Sequence, residues 1–140
     1  MAVQFFSADS KAPALPRTKL KAFIQTIFRK EEKKLTNLTY VFCSDEYLLD
    51  INRRFLNHDY YTDIITFDIS ETKGEVEGEV YISVDRVKEN AKTLDQIYSK
   101  EILRVIFHGS LHLCGYKDKS KAQEQEMRKR EDFYLNKFFK

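Results

Sequence analysis

A chain of 140 residues is about one domain long and can bury a single core. Hydrophobic residues at 42% and charged residues at 33%, with only four Gly and two Pro, exclude collagen-like, Pro-rich and largely disordered classes. Lys and Arg number 24 against 22 Asp and Glu, a formal charge of +2, which excludes a protein that coats nucleic acid by bulk charge.

Val3 to Phe6 reads as a short strand, followed by the punctuation of Pro13 and Pro16. Arg17 to Lys33 reads as a helix, because Leu20, Phe23, Ile24, Ile27 and Phe28 recur at the three-to-four spacing of one face. Leu38 to Cys43 is dense in β-branched and aromatic residues and reads as a strand. Ser44 or Asp45 caps a helix in which Leu48, Ile51 and Phe55 face inward and Arg53 and Arg54 outward. Strands follow at 63–70 and 78–84, joined by the charged, Gly-containing ETKGEVE as an exposed connection.

Asp85 to Ala91 reads as a helical turn or short helix. From about Thr93 to Leu113 the apolar pattern describes a helix buried against the sheet, stopped by Gly115. Ser120 with Gln123 forms a capping box for a last helix, packed through Ala122, Met127, Tyr134, Leu135 and Phe138. The expectation is an α+β fold in one domain over 1–140, a small mixed β-sheet covered by helices. Cys43 and Cys114 form no CxxC pair and are too sparse for a disulfide scaffold. The N-terminus lacks a basic stretch before an apolar core, and no run approaches the roughly 18 apolar residues of a membrane span. The expected location is the cytoplasm.

Two of the three histidines lie in HGSLHLCGYKD. A spacing of four on a helix puts the imidazoles of His108 and His112 on one face, one turn apart, where both can reach one ion. Gly115 can turn the chain so that Asp118 returns a carboxylate to that ion, at the end of the buried helix. Two imidazoles and one oxygen leave a tetrahedral Zn2+ with an open position for water. Imidazole favours zinc over magnesium, while nickel, copper and iron suit the same donors. The pattern is close to HExxHxxGxxH/D, whose Glu is the general base of zinc proteases, but Gly109 stands in its place and cannot take a proton. Gly109 reads as a close approach of a strand, side chain or substrate, or as close helix packing alone.

At these residues the chain resembles the YbeY family of bacterial rRNA maturation factors, whose signature reads HGxLHLxGYDH. His108, Gly109, Leu111, His112, Leu113, Gly115 and Tyr116 match, and Lys117 and Asp118 stand where the family usually has Asp and His. Upstream, Leu56, Asn57, Tyr60, Thr62, Asp63 and Phe67 resemble the family's LNxxYRxxxxPTDVLSFP region, and GEVYISVD its GDIxIS strand. Glu126, Met127 and Glu131 fit its acidic, Met-containing last helix, so the likeness runs from about Leu48 to Leu135. The Arg expected after Tyr60 is absent; Arg53, Arg54, Arg104 or His58 are candidates for that neighbourhood.

The resemblance implies a small α+β domain and a single-strand-specific, zinc-dependent endoribonuclease with one ion on His108, His112 and Asp118. It implies roles in late ribosome quality control and maturation of the 3′ end of small-subunit (16S) rRNA. The partners would be single-stranded or precursor rRNA and the small ribosomal subunit or its proteins, without a membrane. Lys117, Lys119 and Lys121 would engage phosphates. Tyr116 would stack a base or pack on the core. Asp63 would brace the site or serve only a local turn, and Glu79 would accept a proton only if the fold carried it to the zinc face. The alternatives are a non-catalytic assembly or RNA-binding factor with a retained metal site and, disfavoured by Gly109, a zinc peptidase.

Overall fold

The computed structural model describes residues 2–140. Its elements are β1 (Val3–Ser7), α1 (Arg17–Lys30), β2 (Lys34–Cys43), α2 (Asp45–Leu56), β3 (Ile64–Asp68), β4 (Glu75–Ser83), α3 (Val84–Thr93), α4 (Tyr98–Leu113) and α5 (Lys121–Phe138). The sheet order is β1-β2-β4-β3, with β1, β2 and β4 parallel and β3 antiparallel to β4 at one edge. This is the expected mixed sheet covered by helices.

Strand alternation divides the core between the two faces of the sheet. Leu38, Tyr40, Phe42, Val80 and Ile82 point to one side and pack with the apolar faces of α1, α4 and α5. Cys43 and Ile65 join Leu48 and Ile51 of α2 in a smaller cluster edged by Phe67 and Tyr81. No described helix is long and apolar enough to cross a membrane.

The helix expected from Thr93 is two helices. Asp95 takes φ +55°, and the amide of Gln96 closes back on the Ala91 carbonyl at 2.8 Å, which ends α3 and restarts the chain at α4. Leu94 and Ile97, read as part of a buried stripe, are 53% and 71% exposed in that break. Phe55, expected to face inward, is 69% exposed and leans edge-on against Phe67 instead. Ala122 is exposed rather than packed, because it precedes the part of α5 that meets the core. α1 stops at Lys30, where Glu32 turns to φ +61°. β2 begins earlier than expected, at Lys34, and β4 at Glu75, inside the stretch read as connection.

α4 lies closest to the sheet at Gly109. A Cβ there would sit 2.9 Å from Val80 Cγ1 and 3.2 Å from Ile64 Cδ1, so the glycine permits the helix to approach β4 and β3. Ser110, buried on the next position, is satisfied by the Tyr40 hydroxyl at 2.6 Å. Gly109→Ala gains about 1 kcal/mol of helix propensity and loses about 1–3 kcal/mol to overpacking, for a small net destabilisation. Adding Val80→Ala should relieve the clash, so the double variant is expected to be less destabilised than the sum of its parts, as read by denaturant midpoints.

Candidate metal centre

α4 is buried almost all round, yet Glu101, Arg104, His108 and His112 recur along it at three- and four-residue steps. That spacing makes one polar stripe. His108 and His112 sit on it with ring centroids 5.0 Å apart and planes at 75°.

Immediately after α4 the chain reverses. Gly115 takes φ +109°, its amide donates to the His112 carbonyl at 3.0 Å, and the Tyr116 amide donates to Leu111 at 3.1 Å. This is the paired bonding of a Schellman end, which favours glycine at the positive-φ position. Tyr116 packs against the core and its hydroxyl donates to Glu31 at 2.8 Å, so it serves the core reading. On the far side of the turn, Ser120 Oγ accepts from the Gln123 amide, and Gln123 Oε1 accepts from the amides of Lys119 and Ser120, all at 3.1 Å. The loop is pinned at both ends.

Asp118 lies between those pins. One carboxylate oxygen is 3.2 Å from His108 Nε2 and the other is 3.4 Å from His112 Nε2. Ligand atoms of the three residues all fall within 4.8 Å of one another. Metal bonds of about 2.0–2.1 Å in a tetrahedron place neighbouring donors about 3.3–3.4 Å apart, and three donors within 4.8 Å of one another are close enough to close on one metal ion. The donor chemistry fits as well, since borderline-soft imidazoles and one hard oxygen are disposed around a common point.

Behind the histidines, His108 Nδ1 lies 2.6 Å from Glu131 of α5, a carboxylate only 5% exposed. Burial opposes charging His108, but the Glu131 hydrogen bond and the charges of Glu131, Asp118 and Asp63 outweigh it and raise its pKa above the ordinary imidazole value. Burial likewise raises the Asp63 carboxyl, partly countered by His108.

The triad opens into a cleft of about 380 Å³, walled by His108, His112, Leu113 and Asp118 on one side and by Thr62, Asp63, Ile64, Thr66 and Asp68 of the β3 edge on the other. Three carboxylates line this cleft and no Lys or Arg does. A second groove runs from Asp118 along α5 past Lys121, Arg128 and Lys129, with Glu124 and Glu131 also in its lining.

The other sequence candidates fall elsewhere. Arg53 pairs with Asp59 at 2.5 Å and Arg54 with Asp50 at 3.1 Å on exposed α2. Arg104 is nearly enclosed and engaged by Glu131 and Asp132. His58 bonds to the Tyr60 hydroxyl at 2.9 Å outside the cleft. Glu79 lines a groove with Phe55, Phe67 and Tyr81 on the α2 face of the sheet, so it is not the proton acceptor. Asp63 does reach the cleft. Sequence reasoning did not single out Glu131 as the partner of His108, nor Arg128, Thr66 and Asp68 as site residues; the one available signal for Glu131 was its place in the family-like last helix.

Comparison with known proteins agrees with this geometry. A family profile described as Endoribonuclease YbeY matches residues 5–139. An Endoribonuclease YbeY of Cytophaga hutchinsonii is 49% identical over 132 residues, covering 94% of this chain and 92% of that protein. Those of Parabacteroides distasonis and Porphyromonas gingivalis are 40% and 45% identical, covering 94% and 93% of this chain and 92% and 85% of their own lengths. A solution structure of a Thermotoga maritima protein shares the fold with a TM-score of 0.61 at 22% identity, over 98% of this chain and 89% of that one.

Ligation requires an unprotonated His108 Nε2, and the apo site holds its proton to higher pH than a free imidazole. Affinity for a first-row divalent metal should therefore fall as pH drops through that raised value, measured by chelator competition. The sign for the metal-free fold is opposite: its His108 pairing contributes in full below the unfolded imidazole pKa and is lost as pH rises through the folded one. His112→Ala and Asp118→Ala should each abolish stoichiometric metal binding, whereas Asp118→His should retain it.

Proposed function

The chain belongs to the YbeY family of endoribonucleases, and from that premise we propose that it is a single-strand-specific, zinc-dependent enzyme that matures the 3′ end of small-subunit (16S) rRNA. It is a metal-dependent endoribonuclease of rRNA processing. The finer reading adds a role in late ribosome quality control, precursor rRNA and the small ribosomal subunit or its proteins as partners, and the cytoplasm as its location. The observation that carries it is the meeting of His108, His112 and Asp118 at the mouth of a cleft open to the β3 edge.

His108, His112 and Asp118 would hold the ion. When bound, a zinc ion would supply Lewis acidity and an acidified water at the scissile phosphodiester. Asp63, whose raised pKa lets it carry a proton nearer neutrality, faces the same cleft and is suited to hold or take a proton at its carboxylate. The acidic cleft wall repels a phosphodiester, so the backbone of the RNA is best placed along α5, where Lys121, Arg128 and Lys129 stand beside Asp118. Arg128 is 57% exposed and its contact with Glu131 is a loose 3.8 Å, which leaves its guanidinium available to phosphate. A single strand suits this path because its backbone and bases can be splayed across a narrow site.

Metal-loaded protein should cleave a single-stranded 16S precursor and spare the same sequence in duplex. Cleavage should drop to background in His112→Ala with the fold intact. A cyclic phosphate end would assign the nucleophile to the neighbouring 2′-hydroxyl, and a plain phosphate end to water. Tight RNA binding with no metal-dependent cleavage would overturn the enzymatic reading in favour of an assembly factor. Arg128→Ala should weaken RNA binding and reduce the slope of log affinity against log salt by about 0.7.

A further inference from the structure

We propose that Glu131 is a positioning residue of the metal centre: reaching across from α5, it fixes the ring orientation and tautomer of His108 so that Nε2 presents its lone pair to the ion, with Arg104 holding Glu131 in that pose. This rests on the reading that the triad holds a metal.

The two nitrogens of His108 face different carboxylates. Nδ1 is 2.6 Å from Glu131 Oε2, and Nε2 is 3.2 Å from Asp118. An ionised carboxylate can only accept, so the bond to Glu131 requires the hydrogen on Nδ1. A neutral imidazole carries one hydrogen, and Nε2 is then the nitrogen left free to ligate. Such a bond to the outer nitrogen also fixes the rotation of the ring and raises its basicity as a ligand.

Glu131 is itself held. Its Oε1 accepts from Arg104 Nη1 at 3.2 Å, and Arg104 is further tied to Asp132 of α5 at 2.8 Å and to Glu101 of its own helix at 3.5 Å. Arg104 lies one turn before His108 on α4, so the same helix that presents the imidazole also presents the cation that sets its partner. At 5% exposure, Glu131 has little room to adopt another rotamer. A buried ion pair joining two helices would need only Glu131 and Arg104. The short bond to the outer nitrogen of a ligand histidine is the additional feature.

The test reads the metal rather than turnover. Glu131→Gln keeps the shape of the side chain, and its zinc affinity, measured by chelator competition, should fall about 10- to 100-fold while the metal-free variant unfolds cooperatively. With Co2+ in place of zinc, its visible absorption should change in shape as well as occupancy, because Arg104 claims the Gln oxygen and leaves the amide NH2 facing Nδ1, which favours the tautomer with the hydrogen on Nε2. A purely structural role would leave the affinity and the spectrum of the folded fraction unchanged, and that result would overturn the proposal. A measurement on the unaltered protein stands beside it: nitrogen-15 NMR should find His108 protonated at Nδ1 and metal-bound at Nε2, and the reverse would sink the assignment. Wild-type protein that binds no metal would instead reject the metal centre itself, so the two failures are distinguishable.

Discussion

The chain reversal at Gly115 is the constraint on which the site depends. α4 alone offers two imidazoles on one side, and nothing on that helix completes a ligand set. The positive φ of Gly115 lets the Leu111 and His112 carbonyls be capped by the next turn, and the capping box at Ser120 starts α5 almost at once. Between these two local motifs the chain has room for little except the return of Asp118. The same reversal lays α5 along α4, which brings Glu131 to His108 from a position 23 residues further along the chain. A beta-carbon at position 115 would meet open space, so its glycine answers to backbone conformation and not to packing.

The electrostatics of the site have two sides, and their separation limits how RNA can lie. Toward the sheet, Asp63, Asp68 and Asp118 make a cleft that disfavours an anion until a cation occupies it. Toward α5, Arg104 is occupied by buried Glu131 and exposed Asp132 and contributes no free charge, while Arg128 remains in solvent. The arginine engaged by carboxylates and the arginine open to solvent are thus different residues on different helices. Buried charge pairs seldom add stability over apolar packing, so the Arg104 network is better explained by the geometry it imposes than by the energy it contributes.

The sequence made the triad legible because its information is local. His108 and His112 are one helical turn apart, Gly115 marks the stop, and Asp118 is only three residues beyond. Most strands and helices were legible for the same reason, through periodicity and caps such as Ser44 and Ser120. What escaped was decided by tertiary placement. Leu94 and Ile97 carry the hydrophobicity of a core stripe but fall at a break, and Phe55 lies at the solvent end of α2 with only an edge contact to Phe67. Glu131 escaped because a Glu among Arg, Lys and Asp on a helix reads as a solvated face. Only the docking of α5 against α4 turns it inward, and no spacing rule within either helix reports that docking.

Asp118, in the place where the family usually has histidine, changes the charge of the His108, His112 and Asp118 cluster as well as its donor set. With an ion held there, a carboxylate would lower the net charge of the site by one unit relative to three neutral imidazoles, which would strengthen attraction for a divalent ion and acidify a bound water less. The carboxylates behind His108 act in the same direction. Arg104 is shared among Glu131, Asp132 and Glu101, so it offsets only part of the negative charge behind His108, and Glu131 keeps enough of its own to add basicity to the imidazole. Arg128, in the groove that begins at Asp118, keeps its guanidinium exposed and outside that shared network, with only a 3.8 Å contact to Glu131. The carboxylate of Asp118 therefore stands between shared, enclosed charge on α4 and exposed positive charge on α5.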